Sequence, residues 1–494
     1  MSTHAGRPLP TSTPAAEGVD ARGVHAFLDA LEAAPGIDPH GVMLLRNGRL
    51  VAEGWWAPRT PDRPQLLYSL SKSFTSAAAG LAAADGLLDL DAPVVSYFPR
   101  FEAEITDPRS RSMLVRHIAS MASGHESDTW ERVLVADRAE PVRGFLSLPP
   151  DREPGTVFAY NQSCTYTLGA IVQHVTGQSL TGYLRERLFD PLGIAETVWE
   201  QFPAGRDLGF SGMYATTDAV ARLGQLLLQG GVWEGRQLLP AGWVAEATRA
   251  HVPNGDGTAE GAANSDWQQG YGLQFWMSRH GFRGDGAYGQ YCVVLPEHDA
   301  VLALTSQTLD LQEVLDAAWR HLLPAFGDAT LTDREKDDES LRLRLSRLAL
   351  PGVAGEAAPP AGAGEWAGAR FAPAGGTCDE QPTLTQVSLR RDDATGWSLA
   401  LTEGERTFAL GFAPGGWTTT EGGPGMPPCA VSAGWTDRDT FTATVCFLET
   451  PHSLDLRCEL SDLPEPFTGT FTAAWRTRPL HPRPLLHRMH GPRH

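Results

Sequence analysis

The 494-residue chain reads as a mixed α/β (α+β) protein. One antiparallel sheet is built from both ends of a first domain spanning residues 18–330 and is flanked by helices. A helical lobe lies between those ends, and a small all-β domain follows at residues 366–475. Three observations predict this. The chain opens with a helical pattern and a hairpin signal, Asn47-Gly48. Strand patterns and a strongly amphipathic helix close the first domain, with helices between. Beyond residue 366 the pattern changes to short β-type runs separated by Gly and Pro turns.

Residues 1–17 are rich in Pro, Thr and Ala and read as a disordered lead-in. Asp20 then caps a helix whose apolar stripe is Val24, Phe27, Leu28 and Leu31, ended by Pro35-Gly36. Residues 41–46 and 49–56 are the arms of the Asn47-Gly48 hairpin. Leu70, Phe74, Ala77, Ala78 and Leu81 recur at helical spacing. Residues 115–121 form another short helix, and residues 125–152 can roof a site. After the Pro154-Gly155-Thr156 turn, Tyr166, Leu168, Ile171 and Val172 mark a helix ending at Gly177, with Tyr160 in the loop that enters it. Residues 183–192 and 218–228 are further helices. Residues 271–277, 288–295 and 300–306 read as strands. Leu311, Val314, Leu315, Ala318, Trp319 and Leu322 make an amphipathic helix.

Residues 331–365 are charged and then Ala-, Gly- and Pro-rich, which predicts a linker. The β domain behind it lacks any nucleophile–base pair and is expected to fold separately, with no catalytic group. Residues 476–494 read as a disordered tail. His481, His487, His490 and His494 in it are read as tail residues rather than metal ligands.

Composition bounds the function. A formal net charge of −19 and a pI of about 5.2 disfavour nucleic acid and anionic membrane as partners. No apolar run is long enough to span a bilayer, and no signal-peptide core follows Met1, so a cytoplasmic location is expected. Six cysteines without a Cys-x-x-Cys pair read as buried thiols, not a zinc site. There is no Gly-x-Ser-x-Gly elbow, His-Glu-x-x-His helix, P-loop or dinucleotide fingerprint, so no metal or cofactor is expected.

One stretch carries chemistry: Ser69-Leu70-Ser71-Lys72. Residues three apart share a helix face, so a hydroxyl and an amine can meet there. A serine hydroxyl needs a base to become nucleophilic, and a lysine amine serves if burial lowers its pKa. Arginine cannot, because it stays protonated. Lysine occurs in this chain only at Lys72 and Lys336, which makes a chance match improbable. Ser69 at a helix N-terminus also places free backbone N–H groups beside a developing oxyanion.

Ser69-x-x-Lys72, Tyr160-Asn161 after a Pro-Gly-Thr turn, and a late strand ending in Leu295-Pro296-Glu297 look like the serine β-lactamase and penicillin-binding superfamily. Residues 115–124, 217–224 and 271–276 fit the same resemblance, which covers residues 18–326 and points to the class C β-lactamase-related group of esterases, D-aminopeptidases and amide hydrolases. The resemblance implies that Ser69 forms an acyl-enzyme, that Lys72 takes part in proton transfer and that Tyr160 relays the proton to the leaving group. Two departures stand out. The family's Tyr-x-Asn has Gln162 in third place and Asn161 one place early, so either amide is a candidate substrate contact. The family's Lys-Thr-Gly or His-x-Gly becomes Gly284-Asp285-Gly286, followed by Ala287-Tyr288-Gly289-Gln290. Gly289 and Gln290 are expected at the substrate, and Arg283 or His280 is the candidate replacement cation. The expected function is a metal-independent serine hydrolase acting on a small-molecule ester or neutral amide. Alternatives are a catalytically silent binding or sensor protein on the same scaffold, and a true β-lactamase or DD-peptidase.

Overall fold

The computed structural model describes residues 7–356, 358–359, 364, 366–392, 396–413, 415–480 and 486–492. Helix α1 (Ala21–Ala33) begins where the Asp20 carboxylate accepts the Arg22 backbone N–H at 3.0 Å, a local N-cap. Strands β1 (Ile37–Arg46) and β2 (Arg49–Trp55) follow. Asn47 (φ 51°) and Gly48 (φ 73°) turn between them in the left-handed region that a two-residue hairpin requires.

The helical lobe carries α2 (Ser71–Ala84), α3 (Gln162–Thr176) and α4 (Thr217–Leu228). The chain then returns as β3 (Trp276–Met277), β4 (Phe282–Gly286), β5 (Gln290–Leu295) and β6 (Ala300–Thr308). These strands and the hairpin form one antiparallel sheet in the order β2-β1-β6-β5-β4-β3. β1 and β6 pair from Ile37↔Thr308 to Arg46↔Ala300, so the two ends of the first domain close a single sheet. Helix α5 (Leu311–His321) packs with α1 over one face. Helices α2 and α4 belong to the apolar cluster on the other.

Two expected strands start or end differently. Residues 271–275 are not a strand. Gln274 takes φ 72°, and the Gly272 N–H bonds back to the Phe275 carbonyl at 2.8 Å, making a turn before β3. Residues 287–289 are also a turn, with Tyr288 (φ 67°) and Gly289 (φ 81°) left-handed, so β5 begins at Gln290. Strand β4 carries no strand pattern in composition, and only the third-motif match at Gly284-Asp285-Gly286 points to it.

Three segments expected to be irregular are tied down. Residues 1–6 lie outside the described residues. Leu9 is buried, and the Pro10 carbonyl and Ser12 N–H pair with Leu50 along β2. The 331–365 stretch contains helix α6 (Glu335–Leu345), whose Leu341 and Leu345 enter the cluster of α1 and β2. Its acidic first turn and its arginines in the last turn match the helix dipole. Of the tail, His481 and His494 lie outside the described residues. Leu486 and Met489 are buried in the β domain, and the Gly491 N–H bonds to Glu449.

The β domain is one sheet of β7 (Arg370–Pro373), β8 (Leu384–Asp392), β9 (Gly396–Glu403), β10 (Arg406–Phe412), β11 (Thr418–Thr420), β12 (Cys429–Trp435), β13 (Thr440–Phe447), β14 (His452–Leu460) and β15 (Gly469–Trp475). Its order is β10-β9-β8-β7-β15-β14-β13-β12-β11. β10 comes back against β11 and β12, nearly closing a barrel, which leaves little free edge. Leu399, Leu410, Trp435, Phe441 and Phe471 fill the interior.

This barrel is not set apart by a free linker. Ala430, Cys446 and Leu448 join the same apolar cluster as the first domain's sheet. Arg59, 6 % exposed, donates from Nη1 to the Phe447, Leu448 and Thr450 carbonyls at 3.2, 2.9 and 2.9 Å. Removing the guanidinium would strand those acceptors in the junction. Arg59→Ala is therefore expected to lower folding stability by about 2–4 kcal/mol in chemical denaturation. A change below half a kcal/mol would mean that the junction is solvated.

Candidate active site

Ser69 lies in a single 3-10 turn, Tyr68–Leu70, that runs directly into α2. The turn is anchored from behind. Gln65–Leu66 pairs with Met213–Ala215, and the Leu67 N–H bonds to the Met213 carbonyl at 2.8 Å. Tyr68 holds φ 49°, which costs a non-glycine residue about 1–2 kcal/mol.

Lys72 follows one helical turn later and is 1 % exposed. Its Nζ sits 3.0 Å from Ser69 Oγ, 2.7 Å from Gln162 Oε1 and 2.9 Å from the Phe210 carbonyl. The last two oxygens can only accept, so two of the amine's hydrogens must point at them. In the neutral amine the remaining position is the lone pair, and it faces Ser69 Oγ. Burial lowers the Lys72 pKa from its usual value to about 7, against the opposing pull of the Asp128 and Asp285 carboxylates.

Asn161 and Gln162 have separate tasks. Asn161 is fully buried and caps α3. Its Oδ1 accepts from the Ser163 N–H at 3.0 Å and from Thr129 N–H and Oγ1 at 3.2 and 3.0 Å. Gln162, in the first turn of α3, holds the lysine instead. Tyr160 precedes the cap and is half-buried against an aromatic wall. Its ring stacks on Trp276 at 5.1 Å, meets Tyr271 edge-on at 6.1 Å, and lies 4.7 Å from Lys72 Nζ. Burial, then the Asp285 charge, raise the phenol pKa, and the neighbouring Ser69 and Trp276 side chains partly oppose the rise. The phenol stays protonated at neutral pH.

Strand β4 lies against the nucleophile turn with no room for side chains. A Cβ on Gly284 would sit 2.3 Å from Ser73 Oγ, and one on Gly286 would sit 2.1 Å from the Leu67 carbonyl oxygen. A larger residue at 284 would have to displace the Ser73 and Leu70 side chains, whereas one at 286 would meet main chain. Asp285 pairs with Arg283 at 3.0 Å. Burial raises its carboxyl pKa, and the Arg283 charge partly offsets that. Neither candidate replacement cation serves Ser69. Buried Arg283 donates to the Asp266 and Met277 carbonyls and Ser278 Oγ, beneath Trp267. His280 packs on Trp319 of α5.

Gly289 and Gln290 are packed into the sheet beside Ser306. Gln290 is fully buried, donates to the Tyr288 and Ser306 carbonyls and accepts from Gln65 Nε2 at 2.6 Å. A Cβ on Gly289 would lie 2.1 Å from Ser306 Oγ. Both residues brace the 287–289 turn. Sequence reasoning also missed Phe210, whose contribution is a carbonyl that any residue would supply. It missed the wall of Tyr271 and Trp276 as well, although both stand in the Tyr-Gly-Leu-Gln-Phe-Trp phrase.

A serine–tyrosine pair around a buried lysine, on a two-ended antiparallel sheet, defines a class of hydrolase folds. The Beta-lactamase family model matches residues 24–325, and the chain belongs to that family. It is 28 % identical over 288 residues to the 6-aminohexanoate-dimer hydrolase of Paenarthrobacter ureafaciens, covering 54 % of this chain and 72 % of that one. It is 26 % identical over 210 residues to Esterase EstB of Burkholderia gladioli, covering 37 % and 53 %. The solved structure of a family VIII carboxylesterase overlays with a TM-score of 0.50 at 17 % identity, covering 63 % of this chain and 99 % of that chain, a likeness of fold.

The contact between β4 and the nucleophile turn is backbone on backbone, so it cannot give way locally. Gly286→Ala is expected to slow fluorophosphonate labelling of Ser69 by about 100-fold or more, with the helical content by circular dichroism retained. Labelling at the original rate would show that the strand has room to move.

Proposed function

We propose that this protein is a metal-independent serine hydrolase that forms an acyl-enzyme on small esters or neutral amides. The observation that carries this reading is the Lys72 amine, buried and held by two obligate acceptors so that its remaining position faces Ser69 Oγ. As Oγ attacks the substrate carbonyl carbon, its proton passes to Lys72 Nζ and the carbonyl oxygen becomes an oxyanion at the helix N-terminus. When the C–O or C–N bond breaks, Tyr160 gives its phenolic proton to the leaving group and recovers one from the Lys72 ammonium. Water then attacks the acyl carbon, surrenders a proton to the same pair, and Ser69 leaves with a proton restored.

The choice of ester or amide is supported by the names of the two relatives, a hydrolase and an esterase. Preference for neutral substrates rests on the region of the third motif. Glycine occupies the cation position, Asp285 lies beside it, and both nearby basic side chains are engaged elsewhere. A β-lactam carboxylate finds no anchor there, whereas an ester needs only nucleophile, base and N–H donors.

Two measurements test this. A base must lose its proton, so kcat/KM should rise tenfold per pH unit below about 7 and level off above it, as the lowered Lys72 pKa requires. Lys72→Arg should lose activity about a thousandfold at all pH values. A pH-independent rate from pH 5 to 9 would remove Lys72 from the mechanism. Secondly, a fluorophosphonate probe should label the wild type and not Ser69→Ala, and a short-chain p-nitrophenyl ester should turn over faster than nitrocefin. No labelling of folded protein would favour a silent binding protein. Nitrocefin outpacing the ester tenfold would favour a β-lactamase.

A further inference from the structure

Tyr68, the residue immediately before the nucleophile, does not end in its own domain. Its hydroxyl donates to Nε2 of His452, on barrel strand β14, at 2.6 Å. The direction of that bond is fixed from the far side. His452 Nδ1 lies 2.9 Å from the Thr477 carbonyl, which can only accept, so Nδ1 carries the hydrogen and Nε2 of the neutral ring is left to accept from Tyr68. All three partners are buried, with Tyr68 4 %, His452 1 % and Thr477 3 % exposed.

A second tyrosine makes a parallel connection. Tyr288, in the turn after β4, donates its hydroxyl to the Arg478 carbonyl of the segment that leaves the barrel. The Tyr288 ring stands edge-on to Tyr68 at 5.2 Å and to His452 at 4.9 Å. Both tyrosines hold left-handed backbone, φ 49° and 67°, a conformation that persists in a non-glycine residue only when its surroundings impose it. They flank the two main-chain segments that meet beside Ser69, where Gly286 lies against Leu67.

We propose that the barrel completes the active site: His452 is a positioning residue that holds the nucleophile turn through the Tyr68 hydroxyl, and the Tyr288–Arg478 contact holds the facing strand turn. The chemical consequence rests on the hydrolase reading above. The mechanical consequence does not. A barrel bonded to both sides of the nucleophile fixes the position of the Ser69 main chain relative to Gly286-Ala287, which is where an oxyanion would meet backbone N–H groups. It touches no substrate in doing so.

Tyr68→Phe removes one oxygen atom and keeps the ring, and His452→Ala removes the acceptor. The full-length variants are compared with the wild type by hydrogen exchange of peptides covering residues 64–71 and 284–291, by fluorophosphonate labelling and by ester turnover. Both peptides are expected to exchange faster, labelling and kcat to fall about tenfold, and KM to move less than twofold, with the melting temperature of Tyr68→Phe within a few degrees of wild type. Should His452→Ala fail to fold, Tyr68→Phe alone decides. Wild-type exchange in the folded variants overturns the proposal, and so does faster exchange with wild-type kcat. If the wild type itself is neither labelled nor active, yet the two peptides loosen in the variants, the hydrolase reading fails while the barrel's hold on the nucleophile turn stands.

Discussion

The site depends on taking one amine out of water. An ammonium moved from solvent into a protein interior loses several kcal/mol of hydration. Lys72 recovers part of this from Gln162 Oε1 and the Phe210 carbonyl, which are dipoles, not countercharges. Dipoles satisfy the hydrogens without stabilising the charge as a carboxylate would, so the balance tips toward the neutral form. The carboxylates Asp128 and Asp285 act on Lys72 through their charge but do not bond to it. The surrounding structure supplies the rest: α3 brings Gln162, the loop before Met213 brings Phe210, and the aromatic wall of Tyr160 and Trp276 keeps the dielectric low.

Glycine at positions 284 and 286 belongs to the same design. Placing a backbone strand directly on the nucleophile turn requires residues without Cβ. Gly284 stands where the family resemblance places a cation, against the Ser73 and Leu70 side chains. The close fit is strictest at Gly286, which faces the Leu67 main chain. Arg283, the neighbouring base, is used to hold Asp285 and three oxygen atoms beneath Trp267.

How much of this was legible follows from how local each signal is. Ser69 and Lys72 share one helix face, so spacing alone brought them together. The Asn47-Gly48 hairpin and the Asp20 cap were equally local. Asn161 and Gln162 could not be separated from sequence, because one residue of offset decides which amide caps α3 and which turns inward. The packing of Gly289 and Gln290 was not legible because Tyr288 adopts left-handed backbone, which reading the run as a continuous strand does not anticipate. Strand β4, Phe-Arg-Gly-Asp-Gly, is legible only through the family motif, because its composition opposes strand formation and tertiary pairing overrides it. Helix α6 has few apolar residues and resembled a charged linker, though Leu341 and Leu345 suffice to seat it. The bond from Tyr68 to His452 joins positions 384 residues apart, and no window along the chain reports such a pair.

The two-ended sheet has a consequence for the order in which the protein is made. Strand β1 lies between β2 and β6, and β6 ends at Thr308. On the ribosome β1 has only its hairpin partner until about 260 further residues have been added, a wait of roughly 13–50 s at ordinary elongation rates of about 5–20 residues per second. Its row of unpaired amides and carbonyls is exposed throughout. The first domain therefore cannot complete its sheet segment by segment as it emerges; β1 waits for β6 while the whole helical lobe is synthesised.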